Sequence, residues 1–265
     1  MTEHLVTTGF DPGTGVATLT FNRPEALNAI NVPLAEAFLA AVQELKALSG
    51  VRCVVLTGTG RAFMAGGDIA SMAGSPDQAG RTISAILDAV NPAILLLRGM
   101  DAPVIAAVRG VAAGAGLSLA MMADIVVAEE NTKFLVAYNG IGAVPDCGGS
   151  WFLPHRVGTG RASEMMILGR TLTAPEAKDW GLINTAAPDD QFESVLTATV
   201  AKAAEGPGRA FGAFRRLVDQ ASGGKSLAEH LEAERQAFLA MTRTTDFSEG
   251  VSAFLAKRKP RFQGY

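Results

Sequence analysis

The stretch from Ala102 to Asp124 reads APVIAAVRGVAAGAGLSLAMMAD. Pro103 opens a run of small and branched apolar residues, Val104 to Val108, with no polar alternation. A strand of that kind is buried on both faces, as in a parallel sheet. Gly110 follows, then Gly114-Ala115-Gly116, and Leu117 to Met122 reads as a buried helix. A strand therefore feeds a glycine-rich turn, and the turn feeds a helix N-terminus. The first N–H groups of a helix have no internal acceptor, and its dipole favours negative charge there. Glycine lets a ligand atom approach those groups closely. Gly114 to Gly116 is thus a candidate anion or oxyanion site, the alternative being close helix–strand packing.

Two other motifs are excluded. A dinucleotide fingerprint requires a third glycine where this chain has Leu119. A nucleophile elbow requires G-x-S-x-G directly after a strand, whereas Ser118 lies about ten residues past Val108 and inside the expected helix. A serine on a buried helix hydrogen-bonds the preceding turn.

Outward from this stretch the chain alternates strand and helix. Leu5–Thr8 and Val16–Phe21 read as strands around Asp11-Pro12-Gly13-Thr14-Gly15. Asn31 is an N-cap for a helix carrying Leu34, Phe38, Val42 and Leu45 at helical spacing. Cys53–Thr57 is a buried strand, and Gly66-Gly67-Asp68 follows, with Asp68 placed to cap the next helix. Gly67 offers a second N–H that can share a space with that of Ala115. Ser71–Gly80 reads as a loop, Ala79–Arg98 as a helix interrupted at Asn91-Pro92, and Asp124–Ala128 as another buried strand. This alternation gives an α/β core with a parallel sheet. Thr173-Ala174-Pro175-Glu176 and Ser226-Leu227-Ala228-Glu229 are capping boxes, Leu182–Asn184 is a short strand, and everything after Asp190 is helical. Asp246 with Glu249 opens the last helix.

The loop Ala137–Gly149 holds four glycines, Gly140, Gly142, Gly148 and Gly149, and places Asp146 between Pro145 and Cys147. A carboxylate in such apolar company suits a general acid or base. It equally suits the cap of the helix that follows. Tyr138 and Trp151 either line an acyl pocket or fill core.

Composition bounds the rest. The chain has 265 residues, of which 48% are hydrophobic, enough for one large domain with a sizeable core. A net charge of −3 argues against a nucleic-acid surface. The sequence shows no uninterrupted apolar run of membrane-spanning length and no signal peptide at its start, so no membrane partner and a cytoplasmic setting are expected. Cys53 and Cys147 form no disulfide framework, and with His4, His155 and His230 they show no metal spacing, so no metal is expected.

Taken together, Asn22-Arg23-Pro24-x-x-x-Asn28, Arg61 to Ile69, Gly110 to Asp124, Pro145-x-x-Gly148-Gly149 and Ser252 to Arg258 resemble the crotonase family of enoyl-CoA hydratases and isomerases. The resemblance runs from about Val6 to Phe262. It implies a ββα spiral core at 1–190 that binds acyl-CoA, and a helical region at 191–265 used for homotrimer or hexamer assembly. It implies no cofactor beyond the coenzyme A of the substrate. By motif it places the thioester oxygen between the N–H groups of Gly67 and Ala115. Ala65, Gly66, Asp68 and Ile69 match adenine contacts, and Gly114 and Tyr138 are further candidate substrate-binding residues. Phe238, Phe254 and Lys257 match positions that hold coenzyme A, partly from a neighbouring subunit. Glu25 stands where hydratases often carry Lys. The two glutamates of the hydratases fall on Ser118 and Tyr138, which cannot serve as a carboxylate pair. Asp146 sits as in the isomerases of phenylacetate breakdown. The resemblance therefore favours an isomerase with Asp146 as acid/base. The alternatives are a hydratase, a dehalogenase or hydrolase with Asp146 as nucleophile, and a non-catalytic acyl-CoA binder.

Overall fold

The computed structural model describes residues 4–264. Two strands open the chain, β1 (Val6–Asp11) and β2 (Val16–Phe21), paired antiparallel around the expected turn. The Asp11 carboxylate fastens that turn by accepting from Gly13 N–H at 2.9 Å and Thr14 Oγ1 at 2.8 Å. Helix α1 (Val32–Ala47) starts at Asn31, whose side chain accepts from Leu34 N–H at 3.0 Å. Strand β3 (Cys53–Gly58) then lies parallel to β2.

Helix α2 (Pro76–Gly99) departs from the sequence reading twice. It begins at the Ser75 cap, inside the segment expected to be a loop, and it runs unbroken through Asn91-Pro92. Pro92 is exposed, so its missing hydrogen bond faces water. Val90, Ala93, Ile94 and Leu97 around it are buried and hold the two halves in line. That packing outweighs the roughly 3 kcal/mol an interior proline costs. By length and composition α2 passes the test for a membrane span. Its buried stripe, together with Arg81, Asp88 and Arg98, marks it as a core helix packed on α1.

The central stretch folds as β4 (Val104–Val108), β5 (Val111–Ala113) and α3 (Ala115–Met122), all of α3 being buried. After it come β6 (Ile125–Glu129) and β7 (Lys133–Leu135), and then α4 (Gly149–Leu168), which kinks at Gly158. Next are β8 (Thr171–Thr173), α5 (Ala174–Asp179) and β9 (Thr185–Ala187). The last strand lies three residues beyond the Leu182–Asn184 expected from sequence. Leu182 and Ile183 are buried as core, and Asn184 Oδ1 accepts from Val126 N–H at 2.9 Å, leading β9 into register beside β6.

The strands form a six-stranded sheet in the order β1-β2-β3-β4-β6-β9, parallel apart from the β1–β2 pair, and a three-stranded sheet β5-β7-β8. The main core lies where α1, α2 and α3 cover one face of the large sheet. A smaller core on the other face packs Phe192 and Ala204, at the ends of α6 (Phe192–Ala204), against Val55, Ile105, Ala107 and Val127. Helices α7 (Gly208–Ala221), α8 (Leu227–Met241) and α9 (Thr245–Leu255) complete the chain, with the Ser226 capping box in place. Thr244, not Asp246, caps α9. The Asp246 carboxylate is buried and accepts from Gln263 and Gly264 N–H groups at 2.6 and 2.9 Å, tying down the C-terminal segment.

Candidate active site

Two backbone segments meet at the start of α3. Phe63 N–H donates to Arg109 O at 2.8 Å, Met64 N–H to Val111 O at 3.1 Å, and Ala113 N–H to Met64 O at 3.0 Å. Residues 63–67 thus run beside 109–115. The contact is so close that glycine is required. A methyl group built on Gly116 would lie 2.2 Å from Met64 O, and one on Gly110 would lie 2.0 Å from Arg61 O. Gly66 and Gly114 face each other: a methyl on Gly114 would be 3.5 Å from Gly66 Cα. Gly114 has φ 51° and ψ −123°, outside the range of side-chain-bearing residues. Close packing and the open amides expected from the sequence are therefore both present.

The residues immediately after these glycines are Gly67 and Ala115. Neither N–H has an acceptor among the described residues, and neither do those of Gly116 and Leu117. Unpaired amides at the positive end of a buried helix attract negative charge. The opposite end of α3 is sealed. Arg156 donates to Met121, Ala123 and Leu182 carbonyls, and Arg98 donates to Met122 O. Burial lowers the Arg156 guanidinium to about 10, which still leaves it charged at neutral pH. Asp124, just after the helix, receives Arg215 at 2.6 and 2.7 Å and Val104 N–H at 2.8 Å. Cations and a partly buried ion pair thus hold the carbonyl end, and the amide end is left free.

The sequence singled out Asn22-Arg23-Pro24-x-x-x-Asn28 without assigning it work, and here it holds the Gly67 segment in place. Asn28 is fully buried at φ 57°. Its Oδ1 accepts from Arg23 N–H at 2.8 Å, and its Nδ2 donates to the carbonyls of Thr59, Ala62 and Phe63. Arg23 donates to Asp68 at 2.7 Å, and Asp68 also accepts from Ser71 N–H. The Arg23 guanidinium and these amides hold the Asp68 carboxyl below its usual range. Asp68 is therefore an ion-paired cap whose carboxylate is already engaged. Of its neighbours in the expected adenine contacts, Ile69 is exposed, Ala65 half-buried and Gly66 buried.

Asp146 does not cap α4. Gly148 is the N-cap residue, with no side-chain bond, and the Asp146 contact to Gly149 N–H is through its main-chain oxygen at 2.8 Å. The half-buried carboxylate instead accepts the phenol of Tyr138, with Oη to Oδ1 at 2.5 Å. Tyr138 is buried, and its Cζ lies 3.9 Å from the position of a methyl on Gly114. Tyr138 therefore joins Asp146 to the threshold of α3. Burial first, and the Asp146 carboxylate second, push the Tyr138 phenol above its ordinary range, so it stays a proton donor. Burial likewise pushes up the Cys147 thiol, with Asp146 adding to it, so the thiol remains neutral. Ser118 points its hydroxyl back to Gly114 O at 3.3 Å, as a serine in a buried helix does.

The structure thus assembles Gly66, Gly67, Gly114, Ala115, Tyr138 and Asp146. Phe238, Phe254 and Lys257 stand apart on and just beyond α8 and α9, exposed, and no hydrogen bond among the described residues joins them to the amides. Trp151 is exposed, packs against the His155 ring at a tilt of 50° and fills no core. His155 lines a separate small cavity with Phe214 and His230. A larger cavity, about 1860 Å³, lies on the α6 side of the large sheet. Among its cations, Arg109, Arg258 and Lys259 are paired with Glu193, Glu249 and Glu205, and Arg52 donates to the Ala204 and Gly206 carbonyls.

A family model for enoyl-CoA hydratase/isomerase matches residues 11–265. The chain belongs to the enoyl-CoA hydratase/isomerase family. It is 37% identical over 251 residues to a 1,2-epoxyphenylacetyl-CoA isomerase of Escherichia coli, covering 94% of this chain and 95% of that protein. It is 38% identical over 251 residues to a probable enoyl-CoA hydratase of Rhodobacter capsulatus, with the same coverage. Among solved structures, a putative enoyl-CoA hydratase/isomerase from Mycobacterium abscessus superposes with a TM-score of 0.90 at 33% identity, over 98% of this chain and 100% of that one. The fold is accordingly the crotonase fold, and enoyl-CoA hydratase/isomerase chemistry on acyl-CoA substrates is the family's trade.

Proposed function

We propose that this enzyme is an enoyl-CoA isomerase that moves a proton between carbons two apart, with Asp146 as its single acid/base. The observation that supports this most directly is the Asp146 carboxylate held by Tyr138 beside the amide end of α3, and not spent on capping α4. The thioester oxygen accepts from Gly67 and Ala115 N–H. As the C2–H bond breaks, its electron pair spreads through the enolate onto that oxygen and C4, and the proton passes to Asp146. The proton then returns to C4, and the electron pair collapses to a C2–C3 double bond. Each good amide donor stabilises the enolate by about 3–4 kcal/mol. One base suffices for such a shift, which is consistent with Ser118 and Tyr138 at the positions where the resemblance puts the glutamates of hydratases.

Water addition is the second reading, and the Rhodobacter relative carries that name. A hydratase needs a base for water and an acid for carbon, and the Ser118 hydroxyl is bonded to Gly114 O. The nucleophile reading lacks its histidine, since His155 bonds Trp151 O and lines another cavity. Asp146→Asn is the test. Loss of 3-enoyl-CoA isomerisation by a hundredfold or more, with acyl-CoA binding retained, is the expected result. Isomerisation near the wild-type rate would refute the assignment. Covalent labelling of Asp146 by solvent oxygen after one turnover would favour nucleophilic attack.

Self-association is part of the same reading. Leu227, Leu231, Phe238, Phe254 and Leu255 form exposed apolar surface on α8 and α9, Phe254 being 83% exposed. A homotrimer or hexamer would cover that surface and bring Phe238, Phe254 and Lys257 to a neighbour's coenzyme A. Sedimentation of the wild type and of Phe254→Ser checks this, with dissociation of the variant expected.

A further inference from the structure

Asp146 has two places to rest. Gly148 N–H and Ser150 N–H, at the start of α4, have no acceptor among the described residues. An aspartate side chain readily accepts from amides two to four positions ahead of it. A free helix N-terminus also attracts a carboxylate electrostatically. Left alone, the carboxylate would turn onto those amides, which is the capping role its sequence position suggests. In the structure it does not, and the contact that competes with the amides is the Tyr138 phenol at 2.5 Å.

Tyr138 is itself firmly placed. The residue before it, Ala137, sits at φ 64°, a left-handed conformation that turns the chain at this point. Its N–H donates to Val136 O at 2.9 Å, its carbonyl accepts from Ala143 N–H at 3.0 Å, and its ring tip rests against Gly114.

We infer that Tyr138 is a positioning residue, whose hydroxyl holds Oδ1 of Asp146 away from the α4 amides and so presents Oδ2 to the acyl chain. This rests on the isomerase reading above and adds to it a division of labour between the two carboxylate oxygens. One oxygen is fixed by a neutral donor that does not ionise at working pH, and the other is free to take and return a proton. A carboxylate that cannot swing returns the proton it has taken before solvent exchanges it, and returns it to the intended carbon.

The test compares full-length wild type, Tyr138→Phe and Asp146→Asn. Phenylalanine keeps the ring against Gly114 and removes only the hydroxyl. Equal melting temperatures for wild type and Tyr138→Phe check that packing is preserved, and Tyr138→Leu serves as the variant that disturbs packing. Three readouts follow: kcat and KM for a 3-enoyl-CoA, the fraction of C2 deuterium recovered at C4, and a crystal structure of Tyr138→Phe. Expected for Tyr138→Phe are a roughly ten- to hundredfold fall in kcat with KM little changed, the range set by losing a hydrogen bond to a charged group. Deuterium recovery at C4 should fall, and the Asp146 carboxylate should be found on Gly148 or Ser150 N–H. Wild-type kcat and deuterium recovery in Tyr138→Phe, or a carboxylate that stays in place without the hydroxyl, would overturn the inference. The isomerase reading fails separately, by an active Asp146→Asn. The crystallographic comparison decides the Tyr138 role even in that event.

Discussion

Gly116→Ala probes the join between the two segments that carry the amide pair. The methyl group would lie 2.2 Å from Met64 O, against 3.4 Å for an ordinary contact, so α3 and the 63–67 segment must separate by about 1.2 Å. The neighbouring atom is backbone, and Met64 O is already bonded to Ala113 N–H, so no flexible side chain can relieve the clash. Ala115 moves with the helix, and Gly67 stays with the other segment. An amide that held the thioester oxygen at about 2.9 Å is then near 4 Å, beyond useful hydrogen bonding. Loss of one such donor is expected to cost 10²–10³ in kcat, roughly 3–4 kcal/mol. The assay is isomerisation of a 3-enoyl-CoA, with folding checked by circular dichroism and thermal melting. Gly80→Ala is the control. It lies at an exposed position in the first turns of α2 with nothing within 4 Å of the added methyl, so it should leave activity unchanged and stabilise by about 0.5–1 kcal/mol. A folded Gly116→Ala protein with kcat within about threefold of wild type would refute the reasoning.

Asn28→Ala strands the Arg23 N–H and three loop carbonyls, those of Ala62 and Phe63 in buried bonds, and each unmet buried group costs about 1–3 kcal/mol. Thermal melting should show a large drop, and the surviving folded fraction should show reduced kcat because the Gly67 segment loosens. Arg215→Ala leaves Asp124 without its main partner and frees the carbonyls of Leu97, Arg98, Met100 and Ala102. A loss of about 3–5 kcal/mol is expected in urea unfolding, with the midpoint shifting and the slope unchanged. Acid should release the C-terminal segment in a defined window. The Arg258 pair and Arg261 N–H depress Glu249 from its ordinary 4.5 to about 2. A carboxylate depressed in the folded state contributes stability above its unfolded value and loses it as pH falls through its folded one. Protection factors at residues 258–261, which remove the intrinsic slowing of amide exchange in acid, should therefore stay high at neutral pH and fall as pH drops from 4.5 toward 2, and Glu249→Gln should show low protection throughout.

Much of this was legible in the chain because local chemistry and tertiary structure agree. The run Val104–Val108 is apolar on every residue, and it is buried on every residue as a central parallel strand. The caps at Asn31, Thr173 and Ser226 act within four residues, so they could be read without a fold. Pro92 misled because the sequence shows the missing N–H but not the buried neighbours that keep α2 straight. Asp246 misled because its partners, Gln263 and Gly264, lie 17 and 18 positions away. Asp146 left two readings open for the same reason. Its capping partners are adjacent in sequence, while the donor it takes is eight residues back across a glycine-rich loop. Asn28 was visible as part of a motif, yet its carbonyl partners lie 31 to 35 residues on, so its task appears only in the fold.

The most direct measurement is a crystal structure of the enzyme with a bound unreactive 3-enoyl-CoA analogue. The account predicts the carbonyl oxygen at about 3 Å from both Gly67 N and Ala115 N, and Asp146 Oδ2 within roughly 3.5 Å of both C2 and C4. A carbonyl bound away from those two amides, or an Asp146 carboxylate turned onto the start of α4 with the ligand in place, would contradict it.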